Sequence, residues 1–141
     1  MMQKNQGFTL IEVIVVLVIL GILASIVVPN VISRTGQAQI IKAKQDIRAL
    51  ESALQLYRID NFKYPTTDEG LQALVSLPSS DSNENWQKGG YIKKLPKDPW
   101  KNDYQYLSPG QHGDFDLYSL GADGSPGGVD ENKDIGNWML D

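Results

Sequence analysis

Hydrophobic residues are concentrated in one run near the N-terminus. No charged residue occurs between Val13 and Ser33, and most positions there are Val, Ile or Leu. A run of about 20 apolar residues is long enough to cross the hydrocarbon core of a bilayer and longer than the apolar core of a removable signal peptide. The pattern therefore favours a spanning or anchoring helix over a removed signal peptide. Pro29 predicts a kink near the end of this run.

A second hydrophobic pattern follows with a different spacing. Its apolar positions are three or four residues apart: Ile40, Ala43, Ile47, Leu50, Leu54 and Tyr57. This spacing places them on one face of an α-helix and leaves charged residues on the other faces. The sequence thus predicts a long helix from Phe8 to about Asp60, and a small globular domain packs on the apolar face of its second half.

The remaining residues predict a short helix and a small sheet. Residues 61–65 break the long helix, and Thr66 with Glu69 forms a capping box ahead of a short helix that includes Leu71, Leu74 and Val75. A polar loop is expected at 78–90. Aromatic and polar residues alternate in 104–107 and 115–118, which indicates two strands joined by a turn-rich connector. The predicted fold class is α+β, with a long N-terminal helix, half membrane-spanning and half amphipathic, packed on a small antiparallel sheet.

Composition narrows the classes of function. The net charge of the 141 residues is −4, and the acidity belongs to the C-terminal segment, where seven acidic residues from Asp114 onward are offset only by Lys133. No basic run or aromatic platform indicates a nucleic-acid partner. The sequence contains no cysteine, which excludes disulfides and a thiol nucleophile.

Candidate catalytic residues are few. His112 lies in a glycine-flanked turn without the pattern of a catalytic triad, so we interpret it as a surface turn residue. Asp98 and Asp103 could be a carboxylate pair, but Asp-Pro and Asn-Asp are ordinary turn sequences. Neither a phosphate-binding glycine loop nor a zinc-ligand spacing occurs. We therefore predict that the chain is not an enzyme.

The segment 120–136 is rich in glycine and acidic residues. Calcium prefers about six to eight oxygen ligands, taken from carboxylates and backbone carbonyls. Asp123, Gly124 and Ser125 resemble the opening of a calcium loop, although no Glu closes an EF-hand at its twelfth position. The residues alone leave two interpretations open, a calcium-binding loop and a solvated acidic turn.

The N-terminus carries a specific motif. Lys4 is the one cation ahead of the apolar run, and Glu12 stands near its start, where a carboxylate is costly unless it is compensated or hydrated at the interface. Residues 7–12, GFTLIE, followed by an apolar helix resemble the class III signal of type IV pilins and pseudopilins. This resemblance implies that a prepilin peptidase cuts between Gly7 and Phe8 and methylates Phe8.

The resemblance also implies the domain organisation and a role for Glu12. Residues 1–7 would be the cleaved leader, 8–33 the transmembrane or filament-core helix, and 34–141 a periplasmic globular domain. Glu12 would be the fifth mature residue and would pair with the N-terminal amine of a neighbouring subunit. Such pairing is physically reasonable because two opposite charges that are each costly in an apolar core neutralise one another.

Motifs through the globular part resemble one branch of this superfamily. They are YPTT at 64–67, GLQAL at 70–74, DPW at 98–100, LSPG at 107–110, SLGADG at 119–124 and DIGNW at 134–138. Together they are similar to the major pseudopilins of type II secretion systems, the family of general secretion pathway protein G. That family has the type IV pilin-like fold with a C-terminal calcium loop.

Calcium ligands follow from this resemblance position by position. The backbone carbonyls of Leu120 and Ser125 and the side chains of Asp123 and Asp134 would bind Ca²⁺, and Asp130 would be a further ligand. An insert at 129–133 lengthens the loop and leaves open both the choice between Asp130 and Glu131 and the ligand from Gly127 to Val129.

The function implied is that of a structural subunit. The chain would insert in the bacterial inner membrane by a single span, lose its leader, and assemble with copies of itself into a periplasmic pseudopilus that drives export of folded proteins across the outer membrane. Its implied partners are the prepilin peptidase, minor pseudopilins and the inner-membrane secretion platform.

The alternatives are a type IV pilus pilin for adhesion, motility or DNA uptake, and a membrane-tethered calcium-dependent hydrolase or sugar-binding module. The last alternative has only the residues Trp86, Trp100 and Trp138 in its support.

Overall fold

The structure, a computed structural model, describes residues 2–79 and 84–140, without the side chains of 28–33. The side chain of Pro29, where a kink was expected, is not described, and part of the loop expected at 78–90 lies outside the described residues. The chain divides into two compact units, Met1–Gly36 and Gln37–Asp141. Helix α1, Leu10–Asn61, belongs to both.

In the first unit, α1 begins beside a capping residue. The Thr9 hydroxyl accepts a hydrogen bond from the backbone N–H of Glu12 at 3.3 Å, which satisfies one of the donors left unpaired at a helix start. The helix over Leu10–Val27 is long and apolar enough to cross a membrane, and none of it is buried within the chain.

In the second unit, the apolar stripe of α1 forms the centre of the core, as predicted. Five of its positions are fully or almost fully buried, and Ile40 packs at the edge of the core. Ala53 on α1 is also buried, and the other buried apolar residues come from later parts of the unit: Leu71, Ala73, Leu74, Tyr104, Phe115, Leu117 and Ile135. Every buried apolar residue among those described thus lies at or after Ala43, so the second unit has a hydrophobic core of its own.

The predicted capping box is present. The backbone N–H of Thr66 donates to the Glu69 carboxylate at 3.0 Å, and the backbone N–H of Glu69 donates to the Thr66 hydroxyl at 3.2 Å. A turn follows, and then a short 3-10 helix at Leu71–Leu74, where the short helix was expected. Two further 3-10 helices cover Asp130–Asn132 and Asn137–Met139.

The sheet has three antiparallel strands in the order β1-β2-β3. They are β1 (Gln105–Leu107), β2 (Asp116–Ser119) and β3 (Ile135–Gly136). Tyr106 lies opposite Leu117, and Ser119 lies opposite Ile135. The two strands predicted from alternation are confirmed, and the α+β fold of a long helix packed on a small antiparallel sheet is confirmed with them. β3 was not predicted, because two residues are too few to show an alternating pattern.

Tyrosine hydroxyls connect the sheet region to the rest of the second unit. Tyr104 donates to the Asp46 carboxylate on α1 at 2.8 Å, and Tyr106 donates to the Pro65 carbonyl at 2.7 Å. Burial raises the pKa of Tyr104 well above its usual value and raises that of Tyr106 to about 12. Both hydroxyls therefore stay protonated and remain donors at neutral pH.

Candidate functional site

The predicted processing site is exposed. Residues 2–9 lie outside the helix, and Phe8 is mostly exposed to solvent. Open space surrounds Gly7, because a Cβ added there would meet no atom of the described residues within 4 Å apart from its two chain neighbours. A peptidase that binds an extended chain could therefore reach the bond between Gly7 and Phe8.

Glu12 lies in the first turn of α1, next to a shallow apolar groove. The groove has a volume of about 290 Å³ and is lined by Phe8, Glu12, Val13, Val16 and Leu17. Among the described residues Glu12 has no salt bridge, and the structure does not pair it with Lys4. The carboxylate is thus available to a cation from outside the described chain.

The C-terminal loop is organised by two of the predicted ligands. The Asp123 carboxylate accepts a hydrogen bond from the backbone N–H of Ser125 at 3.1 Å. The Asp134 carboxylate reaches back across the loop and accepts the backbone N–H of Gly127 through Oδ2 at 3.0 Å. Its other oxygen, Oδ1, is buried and has no hydrogen-bond partner among the described residues.

A buried carboxylate oxygen without a donor is unfavourable unless a cation or a water compensates it. The chemistry of the loop fits a hard cation, because the orphaned oxygen of Asp134 lies in a segment that otherwise offers carboxylates and backbone carbonyls. In the described part of the chain, however, no three acidic, His or Cys side chains converge on one point. Carbonyl oxygens such as those of Leu120 and Ser125 would have to supply much of the coordination. The structure brings Asp123 together with Ser125, and it leaves Asp130 exposed at the start of a 3-10 helix.

Glycines allow the two sides of this loop to approach closely. A Cβ added to Gly128 would stand 2.5 Å from the Asn132 carbonyl oxygen, and one added to Gly121 would stand 2.8 Å from it. Both glycines have positive φ, 92° and 74°, which other residues rarely adopt. The two sides of the loop are therefore in close contact, and Ala122 donates its N–H to the Glu131 carbonyl at 2.8 Å.

The base of the loop rests on a buried carboxylate, that of Asp98, for which the sequence predicted only a turn. Asp98 is 3% exposed. One oxygen accepts the backbone N–H groups of Trp100 and Asn102 at 3.0 and 2.8 Å, which is the expected turn. The other accepts the Ser119 hydroxyl at 2.9 Å, and that hydroxyl accepts the N–H of Gly121 at 3.1 Å. This chain of bonds fixes the point where the loop leaves β2. The Asp-Pro dipeptide predicted the turn, but no local sequence pattern predicted the hydrogen bond from Ser119.

His112 is a surface turn residue, as expected. Its Nδ1 lies 3.0 Å from Oδ2 of Asp116, and its ring stacks on Trp138 with centroids 3.9 Å apart. Asp116 is buried, which by itself raises its pKa, but hydrogen bonds from the Gln111 N–H and from His112 outweigh burial and lower it below the usual value. Trp138 packs here, whereas Trp86 and Trp100 lie against the core.

Comparison with known proteins agrees with this architecture. The family model "Type II secretion system (T2SS), protein G" matches residues 30–138, and the model "Prokaryotic N-terminal methylation motif" matches residues 2–28. The type II secretion system core protein G of Pseudomonas aeruginosa is 60% identical over 140 residues, covering 97% of this chain and 99% of that protein. The protein of the same name from Vibrio cholerae is 59% identical over 139 residues, covering 99% and 95%.

A solved structure is similar as well. The crystal structure of the major pseudopilin from the type 2 secretion system of enterohaemorrhagic Escherichia coli has a TM-score of 0.69 and 49% sequence identity, and it covers 80% of this chain and 97% of that chain. The methylation motif, the exposed apolar helix and the α+β unit that follows it all agree with these matches, and the chain belongs to the protein G family of type II secretion systems, the major pseudopilins.

Proposed function

We propose that this chain is the repeating structural subunit of a type II secretion pseudopilus. The observation that carries the proposal is the helix at Leu10–Val27, which lies within the residues matched by the N-terminal methylation motif and has no part buried within the chain. Such a surface is not stable in water, so it needs a bilayer before assembly and other subunits afterwards. The second unit has its own core and can remain folded in both situations. The role is structural and requires no catalytic residue.

Maturation begins with removal of residues 1–7 and methylation of Phe8 by a prepilin peptidase. The exposed, non-helical segment ahead of α1 and the open space around Gly7 support this step. The mature chain then starts one residue before Thr9, the residue that caps α1. Cleavage at this bond therefore leaves the cap and the helix intact.

Assembly uses Glu12. Its carboxylate stands at the edge of the apolar groove that Phe8 also lines, and it has no salt bridge among the described residues. The N-terminal amine of a neighbouring copy would neutralise it, which removes the cost of carrying a single charge into an apolar filament core. This pairing would also set the register between neighbouring subunits.

Calcium stabilises the folded unit through the C-terminal loop. We assign the carbonyls of Leu120 and Ser125 and the side chains of Asp123 and Asp134 to the site, with Asp130 completing it. The ion would supply positive charge for the buried Oδ1 of Asp134, and ligand-linked stabilisation follows from binding to the folded state alone.

We place the chain in the bacterial inner membrane by a single span, with its folded unit in the periplasm. There it meets the secretion platform and the minor pseudopilins, and copies of the chain extend the filament that pushes folded proteins through the outer membrane. The exposed apolar helix and the methylation motif support membrane anchoring.

Deleting the gene tests this function. Secreted exoproteins should accumulate in the periplasm while twitching motility stays normal, and a plasmid copy of the gene should restore their release. Normal secretion together with lost twitching would instead identify the chain as a type IV pilus subunit.

A further inference from the structure

An aromatic residue with a strained backbone stands at the end of α1. Phe62 follows the last helical residue and has φ 64°, and its side chain is 83% exposed. Its N–H donates to the Arg58 carbonyl at 2.7 Å and so closes the helix. Gly or Asn is usual at such a left-handed helix end, whereas a bulky residue is destabilising there. Solvent exposure of the ring does not compensate this cost.

Phe62 is part of a wider surface feature. Together with Gln55, Arg58, Ile59 and Tyr64 it lines a groove of about 520 Å³, which we call the terminal groove. Ile59 is 69% exposed, so the groove presents two large apolar side chains next to each other. The opposite face of this part of α1 is buried in the core of the second unit.

The polar wall of the terminal groove is held in place by contacts within the chain. The Arg58 guanidinium lies over the Tyr64 ring, 5.1 Å from its centroid, and 3.5 Å from the Asp114 carboxylate. The same guanidinium donates to the Tyr64 hydroxyl at 3.4 Å. The groove is therefore preformed, with the apolar side chains of Ile59 and Phe62 beside an anchored cationic rim.

We infer that the terminal groove is a subunit–subunit contact, filled by apolar side chains of a second copy of this chain. This inference rests on the proposed function. Copies that assemble through the exposed apolar part of α1 bring neighbouring α1 helices together, and the terminal groove lies on the same helix, on its outward face. A contact between two different surfaces of identical copies can repeat without closing, which is the geometry of a filament. Retention of a strained, exposed aromatic residue is explained when its ring is buried only after assembly.

Photo-crosslinking in cells tests whether a second copy of this chain occupies the terminal groove. p-Benzoyl-phenylalanine is placed at position 62 of the full chain, and filaments are purified from the periplasm after irradiation of the cells. We expect a product of twice the subunit mass that contains only this chain. In the Glu12→Ala background, where assembly is blocked, the same product should be lost.

The possible results separate the two proposals. If wild-type filaments form but position 62 gives no dimer, or gives a product with a different protein, the groove inference is overturned while the proposed function stands. If the wild type forms no filaments at all, the proposed function fails and this inference fails with it.

Substitution of Phe62 by Asn separates an interface role from a structural role. Asn tolerates positive φ, so the Tm of the second unit should stay unchanged or rise by a few degrees. The fluorescence of the three tryptophans, all in the second unit, reports this Tm in the full chain in detergent. Filament yield should fall by about tenfold, as loss of a buried aromatic contact predicts. Leu77→Asn, which removes another exposed apolar side chain, is the matched control and should assemble normally. Normal filament yield from Phe62→Asn, or a fall in its Tm, would overturn the inference.

Discussion

Substitution of Asp134 by Asn should separate the calcium site from a merely solvated acidic turn. Asp134 accepts one hydrogen bond through Oδ2, while Oδ1 is buried without a partner among the described residues. The Asn side chain has the same shape and keeps an oxygen that can accept from Gly127. It removes only the negative charge that a cation would require.

The expected size of the effect follows from linkage. Calcium at about 100 times its dissociation constant stabilises the folded state by about 2.7 kcal/mol if the unfolded chain does not bind it. For a unit of this size, that energy corresponds to a rise in Tm of about 10 °C or more. Asp134→Asn should lose most of this rise. In chelator its Tm should lie within about 5 °C of the wild type, since the change then costs about 1 kcal/mol or less.

The assay is thermal unfolding of residues 34–141, the part of the chain that contains the whole described core, in calcium and in a chelator. Asp123→Ala should also lose the calcium-dependent rise, and comparison of Asp130→Asn with Glu131→Gln should show which of the two side chains completes the site. Asp114→Asn is the control, because this exposed acid pairs with Arg58 outside the loop.

Two results would refute this reasoning. A wild-type Tm that is equal in calcium and in chelator would mean that the loop holds no ion that matters for folding. A calcium-dependent rise that survives both Asp134→Asn and Asp123→Ala would place the ion elsewhere.

Three further predictions concern assembly, the base of the loop and acid stability. Glu12→Ala should abolish filament formation and leave the tryptophan-monitored Tm unchanged, since Glu12 lies outside the second unit; normal filaments would contradict its pairing role. Ser119→Ala should cost about 1–3 kcal/mol, seen as a Tm lower by roughly 5–15 °C, because it leaves one oxygen of Asp98 and a backbone N–H unpaired. Ser52→Ala, on an exposed helix face, is the control and should change little. Asp116 has a lowered pKa in the folded state, so its charged form stabilises the fold above the unfolded pKa of about 4 and this contribution is lost as pH falls. The Tm difference between the wild type and Asp116→Asn should therefore shrink on acidification, and a constant difference would show that the charge of Asp116 is not what matters.

Local patterns predicted the elements of this fold well. The stripe from Ala43 to Tyr57 is buried, with Ile40 at its edge, because the spacing of its apolar residues matches the turn of a helix. The Thr66 and Glu69 capping box formed because both of its hydrogen bonds depend on residues three apart. Alternation located β1 and β2 to within a residue.

Contacts between distant residues could not be predicted in this way. The bond from Ser119 to Asp98 joins residues 21 apart, and the stack of His112 on Trp138 joins residues 26 apart, so neither leaves a periodic signal. The positive φ of Phe62 could not be predicted either, because a phenylalanine does not indicate a left-handed helix end as glycine would. At the calcium loop, composition indicated the chemistry, but the ligand set came from a family resemblance and stays a prediction.

The central claim is that this chain works by polymerising, and the most direct measurement is made on filaments purified from the periplasm of cells that produce it with a prepilin peptidase. Mass spectrometry of the filament subunit should show a chain that begins at N-methylated Phe8, and Glu12→Ala cells should yield no filaments. A processed chain that remains monomeric in the membrane while exoprotein secretion proceeds normally would contradict the account.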